Sequence, residues 1–555
     1  MKKRFALLLA LCVFSLALAP CFAAPKPKRG GIVVAGSNKL GILVRNFNPF
    51  SPAALESASG NFYETLIFFN SATGQASPWL AEKWSWSKDL KSLTFTIRKG
   101  IKFNDGSPMT VDDVVYSSML GKENKALDSS GLWAQGLQSV KASGSKITYT
   151  FSDVNVTALE NFGALYVVPK AIWSKVEDPV TWPNGDNPVG TGPFKLDPDS
   201  FSEQSYKIVR NPYYWQKGSD GKPLPYIDGV KYVVISAEQL GFNLINDAYD
   251  WANGFLPNVE EYVKANPETH KYWFGEGNLV FLYMNNLLPP FDNLNVRRAV
   301  NMGISQREIT RKMVPSPTPA DLSALKSAYK GLAKDAMAAY APKYNVSQAK
   351  KLLEGEGYRL NAKGIYEKDG KALSFSIVVP TGWVDWVAAG ETVCSQLKEI
   401  GIEAVVTQEA WPDPFQSNLA TGKTAMAFNI CVTGTNPYYQ FNRWLNSASY
   451  APIGTNSNAY WNMRYKNADI DKWLAAYRAE PSSKKQESFM KNIIAQYIKD
   501  APDVPLFFNP NWFEYSTKTF VGWPTADNQY AWPTTTSGGV LGMQKAVIFL
   551  HLYKK

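Results

Sequence analysis

Polar and apolar residues alternate over positions 94–97, and this period of two predicts a strand with one buried face. The Asn104-Asp105-Gly106 sequence that follows is typical of a tight turn. Thr110 precedes the apolar positions 111, 114 and 115, and Asp113 follows three residues later, which is the spacing of a helix capping box. The pattern therefore predicts a strand, a turn and a capped helix in that order.

The pattern becomes helical after residue 284. Apolar or small residues at positions 296, 299, 300 and 303 share one face of a predicted helix, and Ser305 with Glu308 indicates a second capping box. Asn345 is the expected N-cap of the next helix, whose apolar stripe ends near Gly355 and Gly357. A second, more helical unit is expected from here.

A strand, a helix and a strand are predicted at positions 373–380, 384–400 and 402–406, with Gly401 ending the helix. A helical crossover of this kind joins parallel strands, so we expect an α/β unit. A strand-like pattern is found again near positions 505–515.

A chain of 555 residues exceeds the size of a single core, so two or more lobes are expected. The sequence shows no repeat of fixed period and no low-complexity linker. Lobes without a flexible linker are expected to be joined by ordered strands, which is hinge architecture.

The N-terminus predicts export. Lys2, Lys3 and Arg4 precede an apolar run at positions 5–19, and Cys21-Phe22-Ala23 resembles a cleavage site, so residues 1–23 are interpreted as a signal peptide. Lipidation at Cys21 is the alternative, which Pro20 disfavours. A soluble periplasmic protein is the expected product.

Composition narrows the function classes. Loss of residues 1–23 removes three of the ten net positive charges, and the remaining charges alternate in sign, which argues against a nucleic-acid partner. The chain has two histidines, and neither zinc spacing nor a phosphate-binding loop, so no metal or cofactor is expected. Cys394 and Cys431 could form a disulfide or remain as two buried thiols.

Short motifs across the chain resemble the extracytoplasmic solute-binding proteins of the peptide, nickel and oligosaccharide ABC importers. The motifs are LAEKW at 80–84, LTF at 93–95, FNDG at 103–106, DDV at 112–114, NPVGTGPF at 187–194, RNPYYW at 210–215 and YIDGV at 226–230. The resemblance implies a two-lobed α/β periplasmic binding protein fold (type II, cluster C), with an extra subdomain in lobe I and a hinge. It also implies a monomer that works with ABC permease subunits.

The resemblance and the change from strand-like to helical patterns along the chain together predict a division into domains. Residues 24–284 are expected to form lobe I, with an inserted subdomain at about 52–185. Lobe II is expected to span 285–509, and residues 510–555 to return to lobe I.

Two features of the sequence bear on the ligand class: one departure from the peptide-binding members and one resemblance to the oligosaccharide binders. Peptide-binding members have an aspartate after an apolar strand, whereas the matching positions 427–438 contain no acid and Asn436 stands in its place. The TGWVDW sequence at 381–386 resembles a segment of the cellobiose and β-glucan oligosaccharide binders. Tryptophan rings stack on sugar faces, and amides and carboxylates hydrogen-bond hydroxyls.

The predicted ligand-binding residues combine aromatic, amide and acidic side chains near predicted strand ends, although most single tryptophans in proteins are core residues. They are Trp251, Trp383, Asp385, Trp386, Asn436, Tyr438, Asn458 and Trp461. The expected cargo is a short oligosaccharide, of β-glucan or cello-oligosaccharide type. Oligopeptide binding is the alternative, and a secreted sugar-active enzyme ranks third because no catalytic motif supports it.

Overall fold

The computed structural model describes residues 26–37, 41–236, 238–313, 315–434, 436–457, 459–536 and 538–555. The predicted signal peptide with Cys21, and the predicted site residue Asn458, lie outside the described residues. Among the helices that are described, none has the length and apolar character needed to cross a membrane.

The chain alternates between strands and helices throughout. The strands are β1 (Ile32–Gly36), β2 (Ile67–Asn70), β3 (Gln75–Pro78), β4 (Ala81–Trp86), β5 (Ser92–Ile97), β6 (Leu137–Ser143), β7 (Lys146–Phe151), β8 (Phe194–Asp197), β9 (Ser205–Arg210), β10 (Gly229–Val233), β11 (Trp251–Ala252), β12 (His270–Tyr272), β13 (Gly275–Met284), β14 (Thr318–Pro319), β15 (Arg359–Leu360), β16 (Tyr366–Lys368), β17 (Lys371–Ala372), β18 (Ser374–Pro380), β19 (Glu403–Glu409), β20 (Met426–Cys431), β21 (Val504–Asn511), β22 (Glu514–Ser516), β23 (Phe520–Val521) and β24 (Tyr553–Lys554). The helices are α1 (Val111–Glu123), α2 (Lys170–Trp173), α3 (Leu240–Ile245), α4 (Val259–Ala265), α5 (Leu294–Gly303), α6 (Gln306–Lys312), α7 (Lys334–Tyr340), α8 (Val346–Gly355), α9 (Val384–Glu399), α10 (Phe415–Thr421), α11 (Pro437–Leu445), α12 (Ala468–Ala479), α13 (Ser483–Asp500) and α14 (Gln544–His551).

Lobe I is built on a seven-stranded mixed sheet with the order β12-β22-β11-β1-β10-β9-β8. β1 pairs in parallel with β10 and β11, and β22 brings the C-terminal part of the chain back into this sheet. The C-terminal helix α14 packs on the same core, where Phe549 contacts Trp251 at a ring-centroid distance of 5.5 Å. The segment after residue 511 therefore completes lobe I.

A four-stranded antiparallel sheet, β4-β5-β7-β6, lies within the part of the chain expected as an inserted subdomain. β5 buries Leu93, Phe95 and Ile97 and leaves the intervening residues partly exposed, which confirms the alternation. The capping box is also confirmed: the Asp113 carboxylate accepts from the backbone N–H of Thr110, and helix α1 begins at Val111.

Lobe II is built on a six-stranded sheet with the order β14-β21-β13-β20-β18-β19. β18 and β19 are parallel and joined by α9, which confirms the predicted strand, helix and strand. One face of the sheet packs on α5, α6, α8 and α9, and the other on α7 and α10–α13. Both faces of this sheet are therefore covered, as the largely apolar strands require.

The helix caps of lobe II agree with the sequence in one case and differ in another. Asn345 accepts a hydrogen bond from the backbone N–H of Gln348 and caps α8, as predicted. Ser305 is the N-cap of α6, but the predicted capping box is wrong, because the Ser305 side chain makes no capping hydrogen bond and Glu308 binds Arg311 at 2.6 Å.

Two antiparallel strands carry the chain between the lobes. β13 enters lobe II at Gly275, and β21 leaves it at Asn511, its partner in the ladder. Because β13 pairs with both β20 and β21, we place the start of lobe II near residue 275 rather than at 285. Cys394 and Cys431 are free thiols, of which Cys431 is buried and Cys394 half-buried.

Candidate ligand cleft between the lobes

One edge of the lobe II sheet collects the loops that can face a ligand. β18 is parallel to β19 and β20, so these three strands end at the same edge. β13 begins and β21 ends there, since both ladders are antiparallel. We call this the hinge edge. It is the carboxyl edge of the parallel strands, where α/β folds bind their ligands.

Two adjoining cavities, of about 280 Å³ and about 390 Å³, lie between the hinge edge and lobe I. Ser71 and Trp532 of lobe I line both, as do Lys326, Thr433 and Gly434 of lobe II. A ligand in these cavities would touch both lobes and the strands that join them. We call the two cavities together the cleft.

The polar lining of the cleft consists mainly of amides and hydroxyls. Some of these groups are held by protein contacts: the Asn511 amide donates to the Pro533 carbonyl at 2.8 Å, and Asn278 Oδ1 accepts from the backbone N–H of Thr433 at 3.3 Å. Such side chains keep further donors and acceptors for hydroxyl groups. The rings of Trp273 and Trp532 meet edge to face at 5.9 Å beside them.

Lys326 and Glu276 bring charge to the cleft. Glu276 accepts hydrogen bonds from the backbone N–H of Ser327 at 2.7 Å and from its hydroxyl at 2.6 Å. Lys326 Nζ lies 5.4 Å from the ring centroid of Trp532. Burial lowers the pKa of Lys326 to about 8, although the negative charge of Glu276 opposes that shift.

The lobe I wall of the cleft rests on a buried lysine. Lys545 is fully buried, and its ammonium group donates to the carbonyl of Thr536 at 3.0 Å and to that of Gly542 at 2.8 Å. Burial lowers its pKa to about 7. Since Thr536 and its neighbours 538–541 line the cleft, Lys545 fixes the position of that wall.

A row of aromatic rings continues along the hinge edge. Trp383 follows β18 and Trp411 follows β19, with ring centroids 5.4 Å apart. Trp411 lies 5.9 Å from Tyr460, which lies 5.1 Å from Trp461. The guanidinium of Arg443 stacks 3.8 Å from the Trp461 ring. This aromatic row offers partly exposed ring faces, and Trp411 is 37% exposed.

Four predicted site residues lie in or near these surfaces. Trp383 and Trp461 belong to the aromatic row, and half-buried Asp385 stands in the first turn of α9, where burial raises its pKa. Asn436 lines the cleft, but its Oδ1 accepts from the backbone N–H of Tyr438 at 2.9 Å and caps α11. Its amide donors remain for a ligand.

Three others are core residues, which corrects the prediction. Trp251, expected in a loop, lies in β11 and is fully buried against Phe513, Trp523 and Phe549. Trp386 lies inside α9, is 1% exposed, and packs between Trp383 and Phe428. Tyr438 is 4% exposed and stacks on Tyr477 at 4.7 Å. Strand and helix geometry turn these rings inward.

Sequence reasoning missed several residues of the cleft, among them Trp273, Glu276, Lys326 and Trp532, and it missed Trp411 of the aromatic row. A signal for Trp411 was present, because it follows a predicted strand at the same edge as Trp383. Lys326 and Trp532 lie in irregular segments that neither period nor motif marks, and only the fold brings them together.

The lobes also touch at the subdomain of lobe I. The Tyr439 hydroxyl donates to the Thr157 carbonyl at 2.6 Å, and Arg478 donates to the Gln135 carbonyl at 3.1 Å. Glu160 lies against the same tyrosine and, after burial, is the next cause of its raised pKa. We call these the bridging contacts. They join the two lobes across the cleft.

Comparison with known proteins identifies the family. Residues 75–452 match the family described as bacterial extracellular solute-binding proteins, family 5. The oligopeptide-binding protein AppA of Bacillus subtilis is 26% identical over 515 residues, covering 88% of each chain. A probable ABC transporter-binding protein of Deinococcus radiodurans is 32% identical over 267 residues, and that match spans 43% of its length.

Solved structures share the fold. The periplasmic oligopeptide-binding protein of Thermotoga maritima is 24% identical, with a TM-score of 0.84 over 95% of this chain and 99% of its own. Its structure with bound mannohexaose has a TM-score of 0.76 over the same shares. At this identity the likeness establishes the two-lobed architecture.

Proposed function

The chain belongs to the bacterial extracellular solute-binding proteins of family 5, and on that premise we propose that its cleft captures a short oligosaccharide for an ABC importer. Proteins of this family bind solutes outside the cytoplasm and work with ABC permease subunits. The family consists of transport proteins rather than enzymes.

The observation that carries the proposal is the aromatic and amide character of the hinge edge. The aromatic row offers ring faces that suit the C–H faces of pyranoses, and the cleft offers amides and hydroxyls for their hydroxyl groups. The loop after β20, from Val432 to Asn436, contains no acid that could neutralise a peptide ammonium. The mannohexaose bound to the Thermotoga maritima protein supports the same ligand class.

The mechanism follows from the two crossings at β13 and β21. A ligand that contacts Trp532 of lobe I and Thr433 of lobe II does so fully when the lobes are closed, so its binding energy shifts the population toward the closed form. The bridging contacts would add to that closed form. The permease would then recognise the closed shape.

Oligopeptide capture is the second candidate. Relatives such as AppA are named for oligopeptide binding, and Lys326 and Glu276 place opposite charges in the cleft. A peptide with free termini carries the complementary pair of charges.

A thermal-shift screen followed by calorimetry tests the proposal. Mannohexaose, cellohexaose and pentapeptides would be added to the mature protein, because a ligand that binds the folded state alone raises the melting temperature by mass action. We expect stabilisation and saturable heat with the hexaoses and neither with the peptides. Tight pentapeptide binding, with no response to either hexaose, would reverse the assignment.

Export in a soluble form is part of the same proposal. Residues 1–23 would be removed and Cys21 would carry no lipid, so the mature protein would begin at Ala24. Intact mass of the protein from an osmotic-shock fraction measures this directly. A mass with two or three acyl chains on Cys21 would establish the lipid-anchored alternative.

A further inference from the structure

The cleft contains an unusual charge distribution. Among the described residues that line it, the charged side chains are Lys326 and Glu276, and Lys326 lines both cavities whereas Glu276 lines the smaller one. The remaining lining is neutral, with amides, hydroxyls and aromatic rings. The larger cavity therefore has a cation and no acid among its described residues.

Glu276 is not a close partner for this cation. Both of its carboxylate oxygens accept hydrogen bonds from Ser327, one from the backbone and one from the hydroxyl. Within the described part of the chain, Lys326 Nζ makes neither an ion pair nor a hydrogen bond, and it lies 5.4 Å from the ring centroid of Trp532. Glu276 acts on it through space.

Lys326 is half-buried, and its ammonium group has no acceptor of the protein within hydrogen-bond distance among the described residues. Burial is the largest cause of its lowered pKa, which reports the cost of keeping the charge there. A ligand anion would supply both the missing acceptor and the missing charge. A sugar hydroxyl could accept a hydrogen bond from this ammonium group, but a carboxylate also brings the opposite charge and therefore binds it more strongly.

We propose that Lys326 is an anion subsite of the cleft and that it selects a cargo carrying a carboxylate. This inference rests on the proposed function and names the cargo more closely: an acidic oligosaccharide whose uronic acid carboxylate pairs with Lys326. The neighbouring Trp532 ring gives the same sugar unit a stacking surface.

A peptide C-terminus offers the same chemical group, but the cleft favours the sugar. A peptide also carries an ammonium group, which needs a free acid. The carboxylate of Glu276 is already engaged with Ser327, and the loop after β20 has no acid. An oligouronide has no ammonium group to place.

A matched pair of sugars tests the inference by calorimetry. Mannohexaose and hexamannuronate share a β-1,4-linked backbone and differ in the oxidation of C6. We expect hexamannuronate to bind the wild-type protein about tenfold or more tightly than mannohexaose, as one charge-assisted contact suggests. Lys326→Met should abolish that difference in affinity, because it weakens the binding of hexamannuronate. Lys326→Arg keeps the positive charge and should keep most of the difference.

Lys330→Met is the matched control. Lys330 lies four positions further along the same segment, pairs with Asp321 at 3.8 Å, and is absent from the lining of the cleft. Its replacement removes the same formal charge and should leave the acid-to-neutral ratio unchanged. A ratio that falls equally in both variants would show a general charge effect and overturn the subsite.

A pH series tests the subsite without a variant. Raising the pH from 7 to 9.5 should weaken hexamannuronate binding more than mannohexaose binding, because Lys326 loses its proton. Glu276 and Tyr329 also line the cleft, and burial raises the pKa of Tyr329. Lys545 lies behind the lobe I wall, and burial lowers its pKa to about 7, so loss of its proton acts on both sugars alike. Equal pH profiles for the two sugars would count against Lys326.

A second pair of ligands separates the failure of this inference from that of the proposed function. Pentaalanine and its C-terminal amide differ in the carboxylate alone. One outcome is that neither sugar binds, that pentaalanine binds more tightly than its amide, and that Lys326→Met removes this difference. In that case the subsite stands and the oligosaccharide function falls. If mannohexaose and hexamannuronate bind the wild-type protein equally well, the function stands and the inference falls.

Discussion

The tryptophans of the core differ in their surroundings from those of the cleft and of the aromatic row. Trp386 and Trp251 are enclosed by other side chains, whereas Trp411 and Trp532 keep a face toward open space. Trp383 and Trp386 are three residues apart and in contact at 4.6 Å, yet one is half-buried and the other is 1% exposed. Helix register, rather than proximity to a loop, decides which ring can meet a ligand.

The largest expected effect is on the core side of this comparison. Trp386→Ala should lower the free energy of unfolding by about 3–5 kcal/mol, because removing a buried ring leaves a cavity. Denaturant unfolding measures the change, with Trp461→Ala as the control at a half-buried ring. Equal midpoints for wild type and Trp386→Ala would mean that this ring is not enclosed.

For a tryptophan of the cleft, the larger effect is expected on ligand affinity rather than on stability. Trp532→Ala should weaken hexaose binding by about 1–3 kcal/mol, the range for losing the burial of a large apolar side chain, with a smaller loss of folded stability. Calorimetry and unfolding on the same sample separate the two quantities. A large stability loss with wild-type affinity would move Trp532 into the core group and remove it from the cleft.

The local sequence pattern predicted these strands and helices correctly, but it did not predict which aromatic rings are exposed. The alternation at β5, the cap at Asn345 and the parallel pair β18–β19 depend on residues close in sequence, and all three are present. The exposure of Trp251 depends on strand pairing with β1 and β22, which are remote in sequence. Lys326 meets Trp532 through the return of the chain to lobe I. Such contacts have no local signal.

A buried acid extends the comparison to charge. Glu514 is fully buried in lobe I, and burial raises its pKa from 4.5 to about 8. Because the folded protein holds this proton more tightly than the unfolded chain, its contribution to stability is present below pH 4.5 and is lost as the pH rises through 8. Glu514→Gln removes this dependence.

We therefore expect Glu514→Gln to be more stable than wild type at pH 8 by roughly 1–3 kcal/mol, and to show a smaller gain at pH 5. The free energy of unfolding at both pH values measures the effect. Glu268→Gln, the same change at an exposed position, should show no such pH dependence. A gain that is equal at both pH values would show that burial of the charge is not its cause.

The smallest expected effect concerns the contacts that join the lobes rather than either group of rings. Tyr439→Phe removes the hydroxyl that donates to the Thr157 carbonyl, and keeps the ring. One hydrogen bond of this kind contributes about 0.5–1.5 kcal/mol, so affinity for the cargo should fall by no more than that as the open form becomes more populated. The radius of gyration of the ligand-free protein, from small-angle X-ray scattering, should increase. Tyr213→Phe, at an exposed ring of lobe I, should change neither quantity. If Tyr439→Phe leaves both affinity and radius unchanged, the bridging contact does not influence closure, and the cleft surfaces alone determine the closed population.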